Sequence, residues 1–208
     1  MPKLLWIQAS PRTGQSYSTR LSEAFVQEFL RRHEGWQSEV LDLFHADLPP
    51  FEAPQAKAKY AVMAGQEPAD DAGRAWRRVI QAIDHFKAAD LYVFASPMWN
   101  FGVPYRLKQY FDIIVQPGLT FSHSPEKGYE GLVTGRKAVL ALARGGQYPP
   151  EQPGLDLQKP YLELILGFIG FADIRTVLVE PTLGEGPEAA EKHLAAALPK
   201  ARALAAEM

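Results

Sequence analysis

The sequence predicts a doubly wound α/β domain on a five-stranded parallel sheet in the order 2-1-3-4-5. Three observations carry that expectation. Apolar runs recur at 4–9, 39–43, 91–95, 138–143 and 174–179, and they are continuous, as in strands covered on both faces. Segments with helical spacing lie between and after them, at 17–32, 71–88, 104–115, 157–168 and 187–207. Five strand–helix units joined by right-handed crossovers close most economically in this order. At 208 residues with 47% hydrophobic content, the chain can bury one substantial core, so residues 1–208 are read as a single domain.

Each element has a local reason. The first run turns at Ser10 into the helix over 17–32. After the second run, residues 44–70 make a connection longer than usual; it holds Pro49, Pro50, Pro54 and Pro68 and a short helix is expected near 56–65. The helix over 71–88 follows Asp70 and Asp71, acids suited to a helix start, and sets Trp76, Val79, Ile80, Ile83 and Phe86 on one face. Pro104 fits a first helical turn, where its missing N–H is not needed. A second long connection, 116–136, contains Thr120-Phe121-Ser122-His123 and a glycine-punctuated 128–135 that reads as a small hairpin. The alanine-rich text after Gly186-Pro187 is strongly helix-forming. Both long connections are candidate walls of a site.

Composition narrows the function. A net charge of −2 with mixed signs supplies no basic stripe for nucleic acid and no polybasic segment for a membrane, so neither partner is expected. The chain has no cysteine, which excludes disulfides, thiol nucleophiles and Cys-ligated clusters. No metal site is expected, and redox chemistry would need a bound cofactor. The start of the chain lacks the pattern of a signal peptide and no run approaches the length of a membrane span, so a cytoplasmic location is expected.

Candidate chemistry begins after the first strand, at Ser10-Pro-Arg-Thr-Gly-Gln-Ser-Tyr-Ser18. A strand that turns directly into a helix leaves backbone N–H groups and partial positive charge for an anion. The loop has a single glycine, Gly14, so neither the dinucleotide fingerprint nor the P-loop fits. Ser10, Thr13, Ser16 and Ser18 offer hydroxyls that suit a terminal monophosphate such as that of FMN. On this loop alone a plain helix cap is an equally good reading.

In an open parallel sheet a ligand lies beyond the carboxyl ends of the strands. The third strand is followed there by Ser96-Pro97-Met98-Trp99-Asn100-Phe101-Gly102-Val103-Pro104. A flat heterocycle could rest on that turn, with Asn100 bonding its edge, although inward-packed aromatics would explain the residues as well. The fourth strand is followed by Arg144-Gly145-Gly146-Gln147, where N–H groups could approach a planar ligand closely. Three such loops on one side of one sheet point to a bound flavin.

These residues resemble the FMN-dependent NADH:azoreductase and quinone reductase family of bacterial flavodoxin-like flavoenzymes. The resemblance rests on Ser10, Ser16-Tyr17-Ser18, Pro97-Met98-Trp99-Asn100-Phe101 and Ala143-Arg144-Gly145-Gly146, extended by 131–137, Pro160-Tyr161-Leu162 and 166–170. It implies a homodimer with one FMN per subunit and NADH as electron donor, NADPH being a second candidate. It places the phosphate on Ser10, Ser16, Tyr17 and Ser18. The isoalloxazine falls against Pro97, Met98, Trp99, Asn100 and Phe101 and against Ala143, Arg144, Gly145 and Gly146. His123 and Phe168 match residues that line the substrate face from the partner subunit. Trp99 stands where tyrosine is common and Ala143 where a hydroxyl residue is frequent.

The implied chemistry is ping-pong hydride transfer from NADH to quinone or azo acceptors, which asks for stacking geometry and electrostatics and no dedicated nucleophile. His123 is read either as a proton donor to the acceptor or as pocket lining. Arg144 is read as attracting an acidic ligand or tying its own loop by an ion pair, and Asp42 as a turn residue. Two alternatives stay open: a flavodoxin-like electron carrier with no small-molecule substrate, and a flavin-free interaction domain on the same fold.

Overall fold

The computed structural model describes every residue except Pro150 and Gln152. β1 (Lys3–Gln8), β2 (Gln37–Asp42), β3 (Leu91–Pro97), β6 (Lys137–Ala143) and β7 (Asp173–Val179) form one sheet. Its order is β2-β1-β3-β6-β7 with every pair parallel. This is the 2-1-3-4-5 pattern with a hairpin inserted, β4 (Phe121–Ser124) and β5 (Gly128–Gly131), which pair antiparallel apart from the main sheet. The helices are α1 (Tyr17–Arg32), α2 (Ala53–Met63), α3 (Asp70–Lys87), α4 (Tyr105–Ile114), α5 (Gln158–Ile169) and α6 (Pro187–Glu207). Among the described residues, no helix is long and apolar enough to cross a membrane.

The period of two along each strand splits the core into two layers. One face sends Leu5, Ile7, Tyr92, Phe94, Leu140 and Leu142 against α3, α4 and α5. The other sends Leu4, Leu91, Val93, Val139, Ala141 and Val177 against α1 and α6. Each fully buried Leu or Phe adds about 1.5–3 kcal/mol over its exposed state. The tyrosine in this core is satisfied: Tyr92 donates to Phe86 O at 2.6 Å.

The structure corrects the sequence reading in three places. Covering on both faces holds for β1, β3 and β6, whereas β2 is an edge strand with Gln37, Ser38 and Val40 exposed. Pro104 caps α4 from outside, in extended conformation, instead of occupying its first turn. The short helix begins at Ala53, earlier than expected, because Pro54 suits its first turn.

Register sets the site. Gln8 lies beside Ala95, and Pro97 beside Ala143. The chain therefore leaves β1, β3 and β6 at one edge, and the three loops open side by side.

Candidate cofactor and substrate site

The loop after β1 is anchored where Ala9 N–H donates to Ala95 O at 2.9 Å. A short 3-10 turn, Thr13–Gln15, then leads to Ser16, the N-cap position of α1. A serine there ordinarily accepts a hydrogen bond from a first-turn N–H. Ser16 makes no such bond; its Oγ lies 3.0 Å from Ser18 Oγ. Ser10, Ser16 and Ser18 are all buried, and the buried Thr19 hydroxyl has no partner. Gly14 does not have a left-handed backbone and has open space where a Cβ would stand, so no close approach depends on it. Clustered hydroxyls at a helix start, not committed to capping it, fit a phosphate dianion in charge and in donor chemistry.

The loop after β3 is a tight two-residue turn. Trp99 N–H donates to Gly102 O at 3.0 Å and Gly102 N–H to Trp99 O at 2.9 Å. Asn100 and Phe101 between them have φ of 48° and 68°, the mirror-image turn that Asn-Gly forms most readily. A phenylalanine at positive φ costs about 1–2 kcal/mol, and such strain concentrates at functional sites. The turn is pinned from outside: Met98 N–H donates to Ala143 O at 2.8 Å and Leu157 N–H to Phe101 O at 2.9 Å. Trp99 packs near Phe44 and Tyr105, with centroids 5.8 and 6.4 Å away, and Phe101 meets Tyr148 edge-on at 6.4 Å. Trp99 and Phe101 nonetheless stay 37% and 47% exposed, so the aromatics do not simply pack inward. Replacing Phe101 by glycine is expected to leave the melting temperature unchanged or higher while weakening flavin binding. Paired thermal melts and flavin titrations would check this.

The loop after β6 is fixed by Arg144. Its backbone N–H donates to Val179 O at 3.1 Å. Its guanidinium is buried and pairs with Asp156 at 2.7 Å and Glu180 at 3.4 Å. The side chain is thus committed inside the protein, leaving backbone groups of this loop for a ligand. A Cβ on Gly145 would stand 2.9 Å from Leu183 Cδ1, so this glycine admits a leucine side chain. Asp42 is a turn residue: its Oδ1 accepts from Phe44 N–H at 2.9 Å.

His123 and Phe168 come together, but at the other end of the molecule. They join Phe121 and Tyr129 in one aromatic cluster: Phe121 to Phe168 is 4.7 Å, His123 to Tyr129 4.7 Å and Tyr129 to Phe168 5.5 Å. α5 starts at the carboxyl edge, where Gln158 Nε2 donates to Ser96 O at 3.1 Å. It runs 12 residues to the opposite edge, about 18 Å along its axis. One chain therefore does not bring this cluster to its own three loops. Sequence reasoning missed Tyr129, which lies directly across from His123 in the hairpin, and Phe44, Tyr105 and Tyr148, whose only signal was adjacency to the loops.

Between the two ends runs an apolar groove of about 470 Å³ along α4 and α5, lined by Val103, Leu157, Pro160, Tyr161 and Leu164. Leu164 is 71% exposed. Burial, with Asp112 adding to it, pushes the Tyr161 phenol up to about 12, so that side of the groove stays uncharged near neutral pH.

A five-stranded parallel sheet carrying a hydroxyl-lined anion loop and an exposed aromatic turn at its carboxyl edge defines an α/β domain built to hold a flavin nucleotide. The sequence matches the family described as having the flavodoxin-like fold over residues 2–205. An FMN-dependent NADH:quinone oxidoreductase of Nitratidesulfovibrio vulgaris strain DP4 is 51% identical, with both chains covered completely. One from Desulfotalea psychrophila is 46% identical over all of this chain and 98% of its own. The crystal structure of an azoreductase from Bacillus anthracis superposes with a TM-score of 0.90 at 28% identity, each chain covered in full. The chain belongs to this flavodoxin-like family, among the FMN-dependent NADH:quinone oxidoreductases and azoreductases.

Proposed function

We propose that the protein is an FMN-dependent NAD(P)H oxidoreductase that reduces quinones and azo compounds, acting as a homodimer with one FMN per chain. The observation that carries this reading is the set of three adjacent loops, above all the serines at the start of α1 that are not spent on capping it. The names of the full-length relatives support the same activity.

Bound FMN would supply the hydride store that lets a two-electron donor and a two-electron acceptor react in turn. The chain's own part is to hold and orient. Ser10, Ser16 and Ser18, with the N–H groups at the start of α1, bind the phosphate. The turn Met98–Phe101 gives a flat surface, and Asn100 offers an amide to the ring edge. Backbone N–H groups at Gly145 and Gly146 meet the edge where negative charge accumulates on reduction. NADH and acceptor use one open face alternately, which is ping-pong behaviour.

That face is completed by a second copy. The cluster of His123, Tyr129 and Phe168 lies too far along α5 to serve its own loops, and the apolar groove between α4 and α5 supplies a surface through which two copies would pack. In this arrangement His123 lines the partner's acceptor site, within reach to donate a proton to a quinone oxygen or azo nitrogen. Leu164→Glu is expected to yield monomers that retain FMN but lose at least about tenfold in acceptor turnover, as sedimentation and initial rates would report. The activity itself is tested by NADH oxidation with benzoquinone and an azo dye. The expected initial-rate plots are parallel in both substrates; flavin retained without turnover of either acceptor would refute the reading.

A further inference from the structure

We propose that Gln158 is a positioning residue that locks the two loops walling the flavin ring into one register; the proposal rests on the FMN reading above. Gln158 is fully buried at the first turn of α5. Its Nε2 donates to Ser96 O at 3.1 Å, at the end of β3, and its Oε1 accepts from Arg144 Nε at 3.2 Å, just after β6. Chemistry fixes the orientation of this amide. An arginine can only donate and a carbonyl can only accept, so the oxygen faces Arg144 and the nitrogen faces Ser96.

Arg144 is held on every side that the bridge needs. Asp156 Oδ2 accepts from one of its terminal nitrogens at 2.7 Å and Glu180 from the other at 3.4 Å. Its carbonyl accepts from both Thr182 N–H and Thr182 Oγ1, each at 2.9 Å. Asp156 Oδ1 also accepts from the backbone N–H groups of Gln158 and Lys159, both at 3.1 Å, which fixes the start of α5 in the same network. The β3 and β6 loops meet also through Met98 N–H on Ala143 O, a bond that extends the sheet ladder. Gln158 is the link that runs through side chains, and it spans the distance between the aromatic turn and the glycines. None of its polar atoms is left for a ligand, so its effect on the flavin passes through the two loops. Small offsets between ring and binding groups have large effects on binding and hydride transfer.

Two variants test this in the full-length, FMN-loaded protein. Gln158→Met keeps volume and removes both hydrogen bonds. Gln158→Glu keeps the contact with Arg144, but when ionised it sets an oxygen against Ser96 O. The groups facing the introduced carboxyl are Arg144, which favours its ionised form, and Asp156 and Glu180, which favour its protonated form. Once protonated, the carboxyl regains a donor for Ser96 O and the bridge re-forms. The expected result for Gln158→Glu is FMN binding weakened about tenfold near pH 8, with a displaced flavin absorption band and midpoint potential. The deficit relative to wild type should shrink toward about pH 5 as the carboxyl protonates. Gln158→Met should show the weakening without the pH recovery. If either folded variant keeps wild-type FMN affinity, absorption band and midpoint potential at all pH values, whatever its melting temperature, Gln158 is only scaffold and the proposal is overturned. Wild-type protein that fails to retain FMN would instead overturn the cofactor reading beneath it.

Discussion

Ser16→Ala combined with Ser18→Ala is expected to weaken FMN binding by about a hundredfold while leaving the melting temperature of the flavin-free protein within about 2 °C of wild type. Each hydroxyl would make a charge-assisted bond to the phosphate, and two such bonds at about 1.5 kcal/mol apiece give that factor. Stability should hardly move, because neither hydroxyl caps α1; each bonds to the other, and both are removed together. A structural cap would behave in the opposite way. Its loss costs about 1 kcal/mol of stability, and flavin affinity would not change. Flavin fluorescence titration beside a thermal melt separates the two outcomes in one pair of samples.

Gly131→Ala is expected to destabilise the fold by about 3 kcal/mol or to move the hairpin, and in either case to abolish most acceptor turnover. A Cβ on Gly131 would stand 2.3 Å from Gly170 N and 2.4 Å from Gly170 Cα. Both contacts are with backbone, which no side-chain rotation relieves. The same junction is held by Val133 N–H on Ile169 O at 2.8 Å. It joins β5 to the end of α5, and so fixes Tyr129 and His123 against Phe168. FMN affinity per folded chain should survive, since the three cofactor loops lie at the other edge of the sheet. Loss of turnover together with retained flavin, measured on the soluble fraction, would place the junction in the acceptor side of the site. Unimpaired melting and turnover would show that the backbone contact gives way without consequence.

The core of the fold was legible because β1, β3 and β6 are covered on both faces and therefore read as unbroken apolar runs. β2 reads less well for the same physical reason in reverse: an edge strand needs only one buried face, and Val40 is left 51% exposed. The hairpin inside the long 116–136 connection was legible from its glycines. Its meeting with Phe168 was not, because that contact is made by tertiary packing of two backbones at Gly131 and Gly170. The turn after β3 was visible as a cluster of aromatic residues. That Asn100 and Phe101 take positive φ there was not, since phenylalanine disfavours it and the restraint comes from Leu157, more than fifty residues on. For Arg144, of the two readings open at the start, the ion pair is the one its side chain adopts. The acids that hold it, Asp156 and Glu180, are scattered in sequence and carry no local pattern. Ser16 could be read equally as cap or anion ligand from its position, and only the direction of its hydroxyl distinguishes what it is free to do.

The central claim is that the loops after β1, β3 and β6 form one flavin site that takes electrons from NADH and passes them to a quinone. It is tested most directly by loading the purified protein with FMN, removing the excess, and following the flavin absorption without oxygen through NADH and then benzoquinone addition. The expected result is one FMN retained per chain, bleached by NADH and restored by the quinone. Flavin that is not retained, or that is retained and not bleached by either NADH or NADPH, would contradict the account.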